Sequence, residues 1–406
     1  MRISTLQAFN NGVAGLQRNY AQATRTQEQI STGNRILTPA DDPVASVRLL
    51  QLEQQHNVLG QYHANLTAAR NSLTQEEVTL NSVNTLLQRV RELAVQAGNG
   101  ALSAEGRQSI AAELREREDE LLSLMNTRNA RGEYLFSGFQ GKTQPFVRTD
   151  DGYRYQGDEG QRRLQIASSL TIPISDDGKR IFENVTDAGR LRVANASQLG
   201  FAVSAPLVSD EVAFAAYQGL RIRFDGAESG RYEVFGIPRE GGAERSLGAG
   251  SLAADGTGDA RLVFAGVTLF VGGQPEPGAQ ILVEGSGAPK QGILDTLAGL
   301  RSVLDNASAS NGQIRDAVAL GLSNLDHGML SVDAARGQIG ARLNVIETTQ
   351  TDNEDVTLVN KAVQAELREL DYAEALSRLS FQTIILEAAQ QSYLKISGLN
   401  LFNLMR

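Results

Sequence analysis

Leu52, Leu59, Leu66, Leu73, Leu80, Leu87 and Ala94 place an apolar residue at every seventh position through six consecutive heptads. A row of that period and length predicts a long coiled-coil helix, because a repeat near 3.5 residues keeps one seam facing a partner. Three residues further on, Tyr62, Ala69, Val83, Val90 and Ala97 form a companion row, interrupted only by Gln55 and Glu76, and the two rows make one stripe. No proline lies between Pro43 and Pro145, and Gly60 is the only glycine from 44 to 97, so the backbone chemistry leaves the helix uninterrupted. At about 1.5 Å per residue, a helix from 44 to 97 is roughly 80 Å long. That length suits a scaffold better than a pocket, and other helices must cover the stripe.

Upstream, Leu6, Val13, Tyr20 and Gln27 are spaced by seven, with Phe9, Leu16, Ala23 and Ile30 as a second row. This predicts a shorter heptad helix, marginal without a partner. It ends in STGNRILTPADDPVAS, where Gly33 suits a left-handed C-terminal cap, Asp42 an N-cap and Pro43 the first position of the next helix. The long helix stops at Gly98, Asn99 and Gly100. Ile110, Leu114, Leu121 and Leu124 then predict a helix running back against it.

After Arg131 and Gly132 the period changes. Tyr153 to Tyr155, Leu220 to Phe224, Tyr232 to Phe235, Val267 to Val271 and Ile281 to Val283 read as short strands bounded by Gly, Pro and Asp. The stretch GGAERSLGAGSLAADGTGDA, 241–260, reads as an exposed loop or long hairpin tip. Helical pattern returns near Gly292, and after Asn311 and Gly312 the residues Val318, Leu325, Val332, Ile339 and Ile346 again recur by sevens, the natural partner of the Leu52 row. TDNED, 351–355, reads as a polar joint before a last helix with two apolar seams. One seam holds Val363, Leu367, Leu370, Phe381, Ile384 and Ala388; the other holds Tyr372, Leu376, Leu379, Leu386 and Tyr393. A helix apolar on more than one side needs more than one neighbour, which points to other copies of the chain.

The expected fold is multidomain α+β: a long antiparallel coiled-coil or helical-bundle shaft formed by both chain ends, with an inserted β-rich domain. The expected domains are 1–43 plus 363–406 (terminal, for assembly), 44–140 plus 291–362 (long helical bundle) and 141–290 (inserted, β-rich). The candidate partner-binding residues are Leu6, Phe9, Val13, Leu16, Tyr20, Leu370, Leu376, Leu379, Phe381, Ile384, Leu386, Tyr393, Leu401 and Phe402.

Composition narrows the function. A formal net charge of −9 argues against nucleic-acid or anionic-membrane binding, both of which need a basic face. With no cysteine there is no disulfide, thiolate metal site or cysteine nucleophile. The start MRISTLQAFNNGVAG has no apolar h-region and reads as lacking an ordinary secretory signal. His56 and His63 share a helix face but stand about 10 Å apart along it, too far for one metal ion. Asp150, Asp151, Asp158 and Glu159 lack the alternating spacing of a calcium loop, and GTGDAR at 256–261 lacks the flanking strand and helix of a phosphate loop. Asn65, Asn184, Asn195 and Asn306 begin formal glycosylation triplets, of which the first, on a heptad helix, is simplest as chance. No catalytic constellation emerges, and neither a cofactor nor a metal is expected.

Three stretches carry more than periodicity. QISTGNRILTPADDPVAS at 29–46 resembles the segment that follows the first helix of bacterial flagellins and their axial relatives, and IGARLNVIE at 339–347 and LRELDYAEALSRLSFQTIILEAAQQSYLKISGLNLF at 367–402 resemble their C-terminal half. Within that superfamily, MRIST, EYLFSGFQGKTQPF at 133–146, YQGDEGQRRLQI at 155–166 and LFNLMR are similar to the branch that joins hook to filament. The resemblance covers roughly 1–170 and 290–406; no known motif matches 170–290. It implies a non-enzymatic, extracellular building block of the flagellum, exported unfolded by the flagellar type III route. It also implies a ring of copies between a neighbouring hook-associated protein and flagellin, and an export chaperone that recognises the C-terminal helix. A flagellin, and less so a type III secretion tip protein, are the competing readings.

Overall fold

The computed structural model describes residues 2–196, 199–226, 230–252 and 259–404. Seven α-helices occur among them, besides a π-helical turn at Lys179–Glu183: α1 (Arg2–Thr32), α2 (Pro43–Ala97), α3 (Ala104–Met125), the single turn α4 (Glu211–Phe214), α5 (Ile293–Asp305), α6 (Asn311–Arg368) and α7 (Tyr372–Leu404). Strands fill the chain between Phe146 and Gln291. Long helices from both ends therefore frame an inserted β-rich region, as the periodicities require. The chain forms two compact units, one of the residues up to 65 together with those from 348 on, the other of residues 66–347.

In the second unit the heptad row behaves as a core should. Leu66, Leu73, Leu80, Leu87 and Ala94 are buried, and so are Val318, Leu325, Val332, Ile339 and Ile346 of α6. Side-chain pairs fix the antiparallel register of the two helices: Arg91 with Asp326 at 2.8 Å, Asn84 with Asp333 at 3.1 Å, and Glu77 with Arg336 at 3.0 Å. Ile110, Leu114 and Leu121 of α3 join the same core, and Arg89 of α2 bonds Glu113 of α3 at 2.9 Å. A buried carboxylate, Glu118, ties α3 to its surroundings: it accepts Arg301 Nε of α5 at 2.8 Å and the Tyr153 hydroxyl of the Phe146–Tyr155 hairpin. Burial and the Glu118 bond push the Tyr153 hydroxyl up to about 12.

A second, separate core lies within 191–283. Five antiparallel strands run in the order Arg245–Ser251, Arg231–Pro238, Tyr217–Phe224, Gln280–Gly285, Leu191–Val193. Leu220, Ile222 and Phe224 point inward with Tyr232, Val234, Ile281 and Val283, while the alternating Arg221 and Arg223 both bond Glu244. Ala260–Phe264 and Val267–Gly272 form a second sheet with Ala202–Val203 and Leu207–Val208.

Two sequence expectations need correction. The stretch 241–260 holds an edge strand, Arg245–Ser251, rather than only a loop; small residues and a register shift at Gly248 (φ +146°) hide its alternation. Residues 253–258, which include the first half of the GTGDAR motif, lie outside the described residues. Second, TDNED is no joint. The helix α6 runs through it to Arg368, because Gln350, Asp352, Glu354 and Asp355 lie on a polar side while Thr349, Asn353 and Asn360 keep the packed side. The break falls at 369–371 instead.

Candidate functional site

In the first unit α1 and α7 pack antiparallel: Gly33 at the end of α1 faces Tyr372 at the start of α7, and Phe9 faces Tyr393, ring centroids 5.3 Å apart. On α7 the packed positions are Ala375, Leu379, Gln382, Leu386, Ala389 and Tyr393, spaced by four and three. The facing positions of α1 are Gly12, Leu16, Asn19, Ala23 and Thr26, with the same spacing. This is a short coiled-coil seam with small and polar residues, and it covers one side of each helix.

The other side of α7 is apolar and open. Leu376, Phe381, Ile384, Ile385 and Leu394 are more than half exposed, and Tyr372 is 52% exposed. Phe9 and Tyr20 of α1 are exposed too, and Val13 and Leu16 are half-buried. Leu376 thus belongs with Phe381 and Ile384 rather than with Leu379 and Leu386, so the two seams divide differently from the sequence grouping. Leu370 is buried and forms no part of the open side. The side chains of Leu6, Leu401 and Phe402 lie outside the described residues. Large apolar patches of this kind on a water-facing helix mark interaction sites.

The connector between α1 and α2 is clasped to the break between α6 and α7. Gly33 takes φ +69°, a left-handed cap that a Cβ would strain and drive to 2.9 Å from the Tyr372 hydroxyl oxygen. Its carbonyl accepts Leu370 N–H at 3.0 Å, and Arg35 N–H donates to the Arg368 carbonyl at 2.7 Å. The Arg35 guanidinium donates to the Leu367 carbonyl at 2.9 Å, while Arg368 Nε donates to Asn34 at 2.9 Å. Asp41 accepts the N–H groups of Leu37 and Thr38 and pairs with Arg25, and Asp42 caps α2 by accepting Ala45 N–H at 3.0 Å. Beside the Arg25–Asp41 pair a cleft of about 550 Å³ opens between α1 and the connector, lined by Tyr20, Arg25, Glu28, Leu37 and Asp41.

Sequence reasoning missed the clasp, although STGNR and LRELD are two of the stretches that carry the resemblance, and they meet here. It also missed a second open stripe on α2: Val47, Leu50 and Val58 are exposed on the side opposite Leu52 and Leu59. Their spacing was readable as a weaker apolar row. Leu358 and Val359 of α6 are open as well. Among the described residues no group of three or more His, Asp or Glu side chains could hold a metal ion, and no helix is long and apolar enough to cross a membrane.

Residues 3–141, from α1 through α3, match the family of the bacterial flagellin N-terminal helical region. Over this stretch, about a third of its length, the chain is similar to that family. Over 186 residues it is 34% identical to flagellar hook-associated protein 3 of Salmonella typhimurium, a match covering 46% of this chain and 58% of that protein's length. The crystal structure of the flagellar junction protein FlgL from Legionella pneumophila resembles it with a TM-score of 0.61 at 26% identity, over 79% of this chain and all of that one. Flagellin B of Vibrio cholerae is 24% identical over 354 residues, 85% of this chain and 89% of that protein. The matched N-terminal region contains α1, the connector with Arg35, and the Leu52 row. The clasp therefore joins this matched region to the start of α7.

Proposed function

We propose that the chain is a structural, non-enzymatic subunit of the bacterial flagellum that joins hook to filament. The observation that carries this reading is the likeness to hook-associated and junction proteins of Salmonella and Legionella, the latter over the whole of the neighbour's length. In this reading the terminal unit is the assembly domain, 1–43 plus 363–406. Residues 44–140 plus 291–362 are the long helical bundle domain, and 141–290 is an inserted β-rich outer domain. Copies form a ring through the open side of α7 and the exposed residues of α1, meeting a hook-associated protein on one side and flagellin on the other. Before assembly, an export chaperone covers the α7 side, and the chain leaves the cell by the flagellar type III route to work outside it. Thin seams at the ends support this route, since helices held by small and polar residues open at low cost and gain order between subunits.

The flagellin reading draws on the likeness to Flagellin B, which is longer but weaker in identity. Two experiments test the proposal together. Cells lacking the chain should carry hooks without attached filaments in electron micrographs, and the pure protein should not polymerise into long filaments. Filamented deletion cells, or long filaments of the pure protein, would overturn the junction role.

A further inference from the structure

Glu76 interrupts the apolar seam of α2, and it is 2% exposed. Its Oε1 accepts the backbone N–H of Asp176 at 3.1 Å. Asp176, fully buried, gathers Arg342 at 2.8 and 3.1 Å, Arg180 at 2.6 Å and Gln161 at 2.6 Å on its carboxylate. Three parts of the chain meet on this acidic pair: α2 through Glu76, the root of the inserted region through Gln161, Asp176 and Arg180, and α6 through Arg342.

The charged groups that bear on Glu76 are Asp176 and Arg180 from the inserted region and Arg342 from α6. Both guanidinium groups are bonded to Asp176, whereas Glu76 has no cation within ion-pair distance among the described residues. A charge on Glu76 would be desolvated and would face a second carboxylate, two penalties on the ionised form. Burial first, then Asp176, hold its carboxyl well above the usual range.

We infer that Glu76 and Asp176 form a proton-held latch, which fastens the root of the inserted region to α2 while Glu76 is neutral and loosens it as Glu76 ionises with rising pH. In the unfolded chain Glu76 releases its proton near its ordinary value of 4.5. The folded chain keeps that proton to higher pH, so between the two values it binds one proton more than the open form. Stability from the latch is thus complete below the unfolded value and is lost as pH rises towards the folded one. Over that window the opening equilibrium grows by up to about tenfold per pH unit.

Hydrogen–deuterium exchange of the full chain from pH 4.5 to 9.5, corrected for the chemical exchange rate, reads this directly. Peptides from 161–183 should lose protection with rising pH, by up to about tenfold per unit, while peptides around Glu118 in the same unit should not follow them. Glu76→Gln keeps a neutral side chain that can still accept Asp176 N–H, and it should flatten the profile of 161–183. Should that variant fail to fold, Asp176→Asn takes its place. It removes the repelling charge and frees both guanidinium groups for Glu76, and so should move the loss of protection to lower pH. A wild-type profile without slope in 161–183 overturns the latch, as does a slope that Glu76→Gln, or in its absence Asp176→Asn, leaves unchanged.

Discussion

Replacing Phe381 and Ile384 together by alanine separates folding from assembly. Their side chains are 66% and 58% exposed in the isolated chain, on the side of α7 turned away from α1. Each change should therefore shift monomer stability by no more than about 0.5 kcal/mol. Covering Phe381 with a neighbouring subunit removes a further area on the order of 100–150 Å² from water, about 3 kcal/mol, and Ile384 adds about 2 kcal/mol. Their sum of roughly 5 kcal/mol is an upper figure, because association also has ordering costs. Half of it is still about a seventyfold weakening of every contact in the ring. The double variant should keep the wild-type circular dichroism and melting temperature, bind the export chaperone more weakly in a pull-down, and leave most cells without filaments. Normal filaments on cells carrying only the double variant would refute α7 as the assembly surface.

Leu80→Asp places a charge without a partner in the fully buried seam of α2 and should destabilise the second unit by more than about 4 kcal/mol, seen as a large fall in melting temperature. Glu118→Ala leaves Arg301 unpaired between α3 and α5 and should cost about 3 kcal/mol in chemical denaturation, whereas equal midpoints for variant and wild type would remove Glu118 from the framework. Gly33→Ala strains the left-handed cap and crowds Tyr372; the expected loss of about 1–3 kcal/mol should appear as faster proteolysis of the terminal unit, with 66–347 unaffected.

The helical frame was legible because each long helix carries its own period: Leu66 through Leu87 and Val318 through Ile346 announce both the element and its buried face. Gly33, Asp42 and Pro43 announced the connector for the same reason, since each has a local conformational role. The clasp was not legible. It rests on backbone carbonyls of Leu367 and Arg368 meeting Arg35 across more than 330 residues, and no periodicity encodes such a pairing. The strand Arg245–Ser251 escaped notice because glycine, alanine and serine have little hydrophobic contrast to alternate. Glu76 was visible as an exception in an apolar row, but its partner lies 100 residues away in an irregular segment. On α7 the apolar character was plain, yet the division between packed and open sides depends on which residues α1 covers. Two mixed seams cannot be separated by spacing alone.

Locating the chain along intact flagella tests the central claim most directly. A small tag in the 239–244 turn, between two strands of the five-stranded sheet, can be labelled with gold on otherwise wild-type cells. The account predicts one cluster of label on each flagellum, at the boundary between hook and filament. Label distributed along the filament would contradict it and make the chain a filament subunit.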